Sequence, residues 1–145
     1  MNKSVVQEAR QWLGTPFCLH GRIKSVGCDC LGLIMGVAHE LKLKDRFAQP
    51  VTHLDQTGYH LLSDGYLLHA VLDKHFTANS CVELGNMALF TFDNNPTHLG
   101  IIGDYPGGRF SVIHANASVG KVVEHRLCGV LKQNLIATYE FADMH

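Results

Sequence analysis

The chain has 145 residues, 46% of them hydrophobic and 17% charged, with 12 Lys and Arg against 13 Asp and Glu. That length suits one domain that buries about 70% of its unfolded surface, so a core can form without staples. A formal charge of −1 lacks the basic excess of a nucleic-acid binder, and no apolar run reaches the ~20 residues that cross a bilayer.

The N-terminal stretch Met1 to Arg10 has no apolar signal segment, so the expectation is synthesis in the cytoplasm without a signal peptide. Val5, Ala9, Trp12 and Leu13 recur at helical spacing and stop at Gly14-Thr15-Pro16. A polar, glycine-containing loop follows from Phe17 to Gly27. The clearest helix comes next: Cys30, Leu33, Ile34, Val37, Ala38 and Leu41 form an apolar stripe, with Asp29 placed to cap it. A third helix is expected from about Ser63 to Phe76, with Ser63 as N-cap and Leu67, Leu68, Val71 and Leu72 inside.

After Cys81 the pattern changes to strands. Met87 to Phe92 ends in Asp93-Asn94-Asn95-Pro96, a turn signal. Leu99 to Gly103 and Arg109 to His114 flank Asp104-Tyr105-Pro106-Gly107-Gly108 and read as a hairpin. Val119 to His125 and Ala137 to Phe141 complete an antiparallel sheet. No repeat or linker divides the chain, so residues 1–145 read as a single α+β domain with N-terminal helices packed on that sheet.

Five cysteines and ten histidines stand out. An odd cysteine count excludes a complete disulfide framework, and thiols beside many imidazoles suggest either cysteine nucleophile chemistry or metal binding. Cys30 opens a helix, where free N–H groups and the positive end of the dipole favour a thiolate; its alternative is a core thiol heading the apolar stripe. A nucleophilic cysteine needs an imidazole base, and that base needs an orienting partner. A hairpin centred near Pro106 sets His98 opposite His114 on one face of the sheet, bringing two imidazoles together.

The competing chemistry is zinc, on Cys28, Cys30, His98 and His114. The Cys-x-Cys spacing, with the second cysteine opening a helix, departs from the usual zinc knuckle, and the expectation is no metal and no cofactor. The other histidines, His20, His39, His53, His60, His69, His75, His125 and His145, show no mutual spacing that makes a site. His20 alone sits on the loop that leads to Cys30 and is placed to line a cleft. Cys18, Cys81 and Cys128 read as structural.

Leu13-Gly14-Thr15-Pro16-Phe17 and Gly27-Cys28-Asp29-Cys30-Leu31-Gly32-Leu33 together resemble the opening of NlpC-type cell-wall peptidases. Met87-Ala88-Leu89-Phe90 is similar to that family's next strand. His98-Leu99-Gly100-Ile101-Ile102 resembles its base-bearing segment, and Ile113-His114-Ala115 the segment of its third catalytic residue. The likeness runs from about Ser4 to Phe141, and the Gly-Cys-Asp-Cys-Leu-Gly-Leu wording looks most like a branch found in phages and gene transfer agents.

The resemblance implies a papain-like α+β fold. It implies a cysteine endopeptidase with Cys30 as nucleophile, His98 as base and His114 as third residue, and Asp29, Phe17 and His20 near the substrate. The implied substrate is a peptidoglycan stem peptide, cut between D-glutamate and a diamino acid. The implied partners are phage-tail or gene-transfer-agent proteins that would carry the chain to the wall. Three departures are Phe17 for the family's Tyr, Cys18 for a basic residue and Gly85-Asn86 for Gly-Asp; the first two bear on substrate contacts more than on the nucleophile. Three other classes stay open: a thiol acyltransferase or amidase on another substrate, a zinc-stabilised binding module, and an inactive structural phage-tail protein.

Overall fold

The computed structural model describes residues 2–57, 65–92, 95–105 and 108–142. The expected Ser63 cap, residues 93–94 of the expected turn and the centre of the hairpin at residues 106–107 lie outside the described residues, as do His60 and His145; Asn95 and Pro96, the rest of that turn, already belong to a strand. Helix α1 (Asn2–Arg10) leads through a turn to a two-stranded hairpin of β1 (Arg22–Ile23) and β2 (Gly27–Cys28), and then to α2 (Cys30–Leu41). A 3-10 helix (Val51–Thr57) and α3 (Gly65–His75) follow. The remainder is β3 (Thr77–Asn79), β4 (Met87–Phe92), β5 (Asn95–Tyr105), β6 (Arg109–Asn116), β7 (Lys121–Arg126), a short helix α4 (Gly129–Asn134) and β8 (Leu135–Glu140).

The main sheet has six strands in the order β3-β8-β4-β5-β6-β7, with every pairing antiparallel. This is the α+β arrangement that the sequence pattern predicts, with four additions, the 3-10 helix and three shorter elements. The β1–β2 hairpin, β3 and α4 are too short to carry a period of two or 3.6, so no pattern announces them.

Helix α2 is buried around nearly its whole circumference, not along one stripe: Cys30 through Met35, Val37 and Ala38 are all covered. It packs against α1, the 3-10 helix and the sheet. The closeness of α1 depends on Gly36, where a Cβ would stand 2.0 Å from the Trp12 ring. Along the strands, successive side chains enter two cores on opposite faces. Met87, Leu89, Leu99, Ile101 and Ile113 join the main core under the helices. Ala88, Phe90, Ile102 and Val112 join a smaller one with Leu131 of α4. This two-sided burial explains the unbroken apolar run of β4.

The Gly14-Thr15-Pro16-Phe17 segment has a definite job in the fold. Gly14, at φ 85°, gives its N–H to Val122 O, Val122 returns one to Thr15 O, and Phe17 N–H reaches Gly120 O, all at 2.8–2.9 Å. Pro16 O accepts from Cys28 N and Cys28 O from Cys18 N, each at 3.0 Å. The segment therefore ties the chain just before Cys30 to the start of β7. Arg10 adds a second tie, bonding Asp104 on β5 and Glu124 on β7 at 2.9 Å. Among the described residues no helix is long and apolar enough to cross a membrane.

Candidate active site

Cys30 is the first residue of α2, and the turn before it is held by Asp29. The Asp29 side chain accepts from Gly32 N–H at 2.7 Å, capping the helix, and from the main-chain N–H of His20 at 2.8 Å. Arg22 contacts the same carboxylate at 3.0 Å and forks onto Asp55 at 2.9–3.1 Å. Helix and loop also touch directly, because a Cβ on Gly32 would lie 2.0 Å from Gly21 O.

The Cys30 sulfur reaches the main chain of β5 on both sides of His98. Its thiol donates to Thr97 O at 3.6 Å, and the Leu99 N–H bonds the sulfur. Cys30 is 7% exposed. Burial pushes its thiol up to about 11; the Leu99 N–H opposes the shift, Asp29 adds to it, and the N–H groups of Leu31 and Cys30 oppose it. Loss of water at this site therefore works against the thiolate that the helix N-terminus favours.

His98 and His114 do come together, with His98 Nε2 2.7 Å from His114 Nδ1. The register that brings them together differs from the one expected. Tyr105 pairs with Arg109 and Ile101 with Ile113, which moves the hairpin centre one position beyond Pro106. His114 therefore lies beside Gly100, and His98 is its diagonal neighbour. The shift amounts to two residues on the partner strand, so both imidazoles stay on one face. His98 is half-buried between the rings of Phe90 and Phe92, at centroid distances of 5.8 and 5.5 Å. Burial brings its pKa down to about 4. His114 is 2% exposed, and burial together with its two histidine neighbours brings it down to about 3.

The second of those neighbours is His125, which sequence reasoning passed over. On β7 it pairs with Val112, so it shares the His114 face, and its Nδ1 stands 3.1 Å from His114 Nε2. Three imidazoles thus form a row across β5, β6 and β7. The signal lay in the second hairpin: a turn near Ser118 sets residue 125 diagonal to 114, the same parity argument that pairs His98 with His114.

The three expected substrate contacts separate. Asp29 is 1% exposed with both carboxylate oxygens engaged; it builds the loop and cannot reach a ligand, which corrects its assignment as a substrate contact. Phe17 is half-buried against the main core. His20 is exposed in a left-handed conformation, φ 66°, anchored through its N–H to Asp29. A cleft of about 360 Å³ opens instead along the imidazole row, walled by Phe92 and by Val130 and Leu131 of α4, with residues 116–118 at its rim. Among the described residues, no three His, Cys, Asp or Glu side chains converge to hold a metal ion. Cys28, the zinc alternative's fourth ligand, is wholly buried in β2.

A helix whose first residue is a cysteine, docked on an antiparallel sheet that presents a histidine pair, defines this as the fold of NlpC/p60 domains. Solved structures that share it include the NlpC/p60 domain of peptidoglycan hydrolase SagA, an NLP/P60-family lipoprotein-like protein from Staphylococcus aureus, and an N-acetylmuramoyl-L-alanine amidase from Bacteroides uniformis. The SagA domain is 18% identical with TM-score 0.62, covering 97% of this chain and 98% of that one. The amidase is 14% identical with TM-score 0.62, covering 98% and 99%. The S. aureus protein is 17% identical with TM-score 0.58; 95% of this chain is covered, and it spans 40% of that protein's length. No protein-family profile and no curated protein matches the sequence.

Proposed function

We propose that this chain is a cell-wall hydrolase, a cysteine peptidase acting on peptidoglycan stem peptides. The observation that carries the reading is the seating of the Cys30 sulfur on the two peptide groups that flank His98, with His98 bonded at 2.7 Å to His114, in a fold shared with peptidoglycan hydrolases.

In this reading His98 Nε2 is committed to His114, so Nδ1 is the nitrogen that serves as base. The thiol gives up Thr97 O for that nitrogen, and its proton passes to His98 as the sulfur attacks the amide carbonyl. A raised thiol pKa and a lowered imidazole pKa make a preformed ion pair costly, so transfer accompanies attack. The Cys30 N–H at the helix end is the oxyanion donor. Collapse of the tetrahedral intermediate breaks the C–N bond, the imidazolium gives its proton to the leaving amine, and a thioester remains. Water, deprotonated by His98, releases the acid and restores the thiol.

The bond proposed is D-glutamyl–diamino acid, following the family resemblance of the two opening motifs. The muramyl–L-alanine amide is the second candidate, because an amidase shares the fold. The apolar wall of Phe92, Val130 and Leu131 favours one further alternative, acyl transfer to an acceptor other than water. Delivery to the wall by a phage-like particle is part of the proposal and rests on the wording of the Cys30 motif.

Digestion of defined muropeptides, read by mass spectrometry, tests activity and bond choice together. New fragments from the wild type and none from Cys30→Ala are expected. Intact muropeptides after prolonged incubation with folded wild type, or cleavage by Cys30→Ala, would overturn the reading.

A further inference from the structure

We infer that His125 is a positioning residue that offers the buried His114 Nε2–H an acceptor and so keeps His98 able to act as a base. The inference rests on the reading of Cys30 and His98 as nucleophile and base, and adds to it a member that the resemblance does not supply.

The argument is one of donors and acceptors. A neutral imidazole has one N–H and one bare nitrogen, so each ring-to-ring bond needs a donor on one side and a lone pair on the other. The row joins His98 Nε2 to His114 Nδ1 and His114 Nε2 to His125 Nδ1. Only two neutral arrangements satisfy both bonds. In the outward one, His98 donates to His114, which donates to His125. In the inward one, every bond reverses. The outward arrangement leaves His98 Nδ1 bare and basic. The inward one places the proton on His98 Nδ1, where it blocks acceptance of the thiol proton.

His125 makes the outward one available because His114 is 2% exposed. A His114 Nε2–H with nothing to receive it would be a buried donor stripped of water, a costly state. With Nδ1 of His125 at 3.1 Å, that proton has an acceptor, and the outward arrangement closes. Half-buried and lining the cleft, His125 can turn its own Nε2–H toward solvent. Without it, His114 is driven to carry its proton on Nδ1, toward His98.

The test uses the full chain and two readouts that need no substrate. Ring nitrogen-15 NMR assigns tautomers, and mass spectrometry follows the rate of Cys30 alkylation by chloroacetamide. Wild type is expected to hold His114 as the Nε2–H tautomer. His125→Leu should move that proton to Nδ1 and slow Cys30 alkylation by about tenfold, the scale of one hydrogen bond. His125→Asn, which keeps an acceptor oxygen near the Nδ1 position, should recover most of the rate. On muropeptides the same series should change kcat and leave KM within about twofold. A wild-type His114 carrying its proton on Nδ1 would overturn the inference, even if His125→Leu failed to fold. So would a folded His125→Leu with unchanged tautomer and rate. A wild type that shows the tautomer and alkylation pattern but leaves muropeptides intact upholds the row and rejects only the proposed substrate.

Discussion

The Cβ that Gly100 lacks would stand 3.3 Å from the Cβ of His114 and 2.6 Å from a methyl of Val112. The missing side chain is what lets β5 pass close enough for the two imidazoles to meet. Gly100→Ala is therefore expected to destabilise the protein by about 1–3 kcal/mol, the usual cost of overpacking a filled core. It should also lower turnover by displacing His114. Urea unfolding together with muropeptide kinetics checks both; an alanine variant of wild-type stability would show that the strands have slack the structure does not suggest.

Asp29 serves three groups at once, and its loss should be felt as stability before chemistry. Asp29→Ala leaves the Gly32 and His20 N–H groups and the Arg22 guanidinium without their shared acceptor. A loss of about 2–4 kcal/mol is expected from the missing cap and the broken buried pair. Asp29→Asn retains an oxygen for the cap and should lose clearly less. Equal losses in the two variants would remove the cap from the explanation.

Acid should loosen the fold in a defined window. Burial holds His98 down to about 4 and His114 down to about 3, against the usual 6.5 of a free imidazole. Below 6.5 the unfolded chain takes up protons that the folded chain refuses. The stability these groups contribute is thus complete above that value and lost as pH falls toward 4. Between pH 7 and 5 the loss should be about 4 kcal/mol. Denaturant midpoints across that range measure it, and in His114→Phe the slope with pH should be visibly shallower.

Thiol reactivity should follow exposure. Cys18, Cys81 and Cys128 are exposed, while Cys28 and Cys30 are buried. Burial also pushes Cys28 up to about 12, further above neutrality than Cys30. Under limiting iodoacetamide at neutral pH, the three exposed thiols should be modified first, with Cys28 last. Peptide mapping orders them; Cys30 reacting ahead of the surface thiols would mean that the resting site holds a thiolate after all.

Within the proposed reaction, Cys30→Ser should lower turnover by about 10⁴-fold or more, since a hydroxyl is a far poorer nucleophile beside an imidazole base. His114→Ala should slow turnover while leaving the fold detectable by circular dichroism. Muropeptide kinetics with unchanged rates for either variant would remove that residue from the chemistry.

The helix at Cys30 was legible because a 12-residue element repeats its apolar period several times. The His98–His114 pair was legible because strand parity survives an error of two in register, although the facing partner proved to be Gly100. His125 obeyed the same parity but needed a second hairpin to be counted, and β7 drew attention only as a strand. Asp29 follows from its place ahead of the apolar stripe as a helix cap, whereas its burial is set by Arg22 and His20, which no local pattern links to it. The Arg22–Asp55 clamp joins residues 33 positions apart, a long-range pairing of surface-type side chains that leaves no periodic trace.

Among the described residues, the lining of the cleft beside the imidazole row has no Lys, Arg, Asp or Glu. A ligand arriving there meets rings, methyl groups and amides, none of which draws it from a distance. With no fixed charge among these residues, the pull on a ligand at this mouth should vary less with ionic strength than at a charged one.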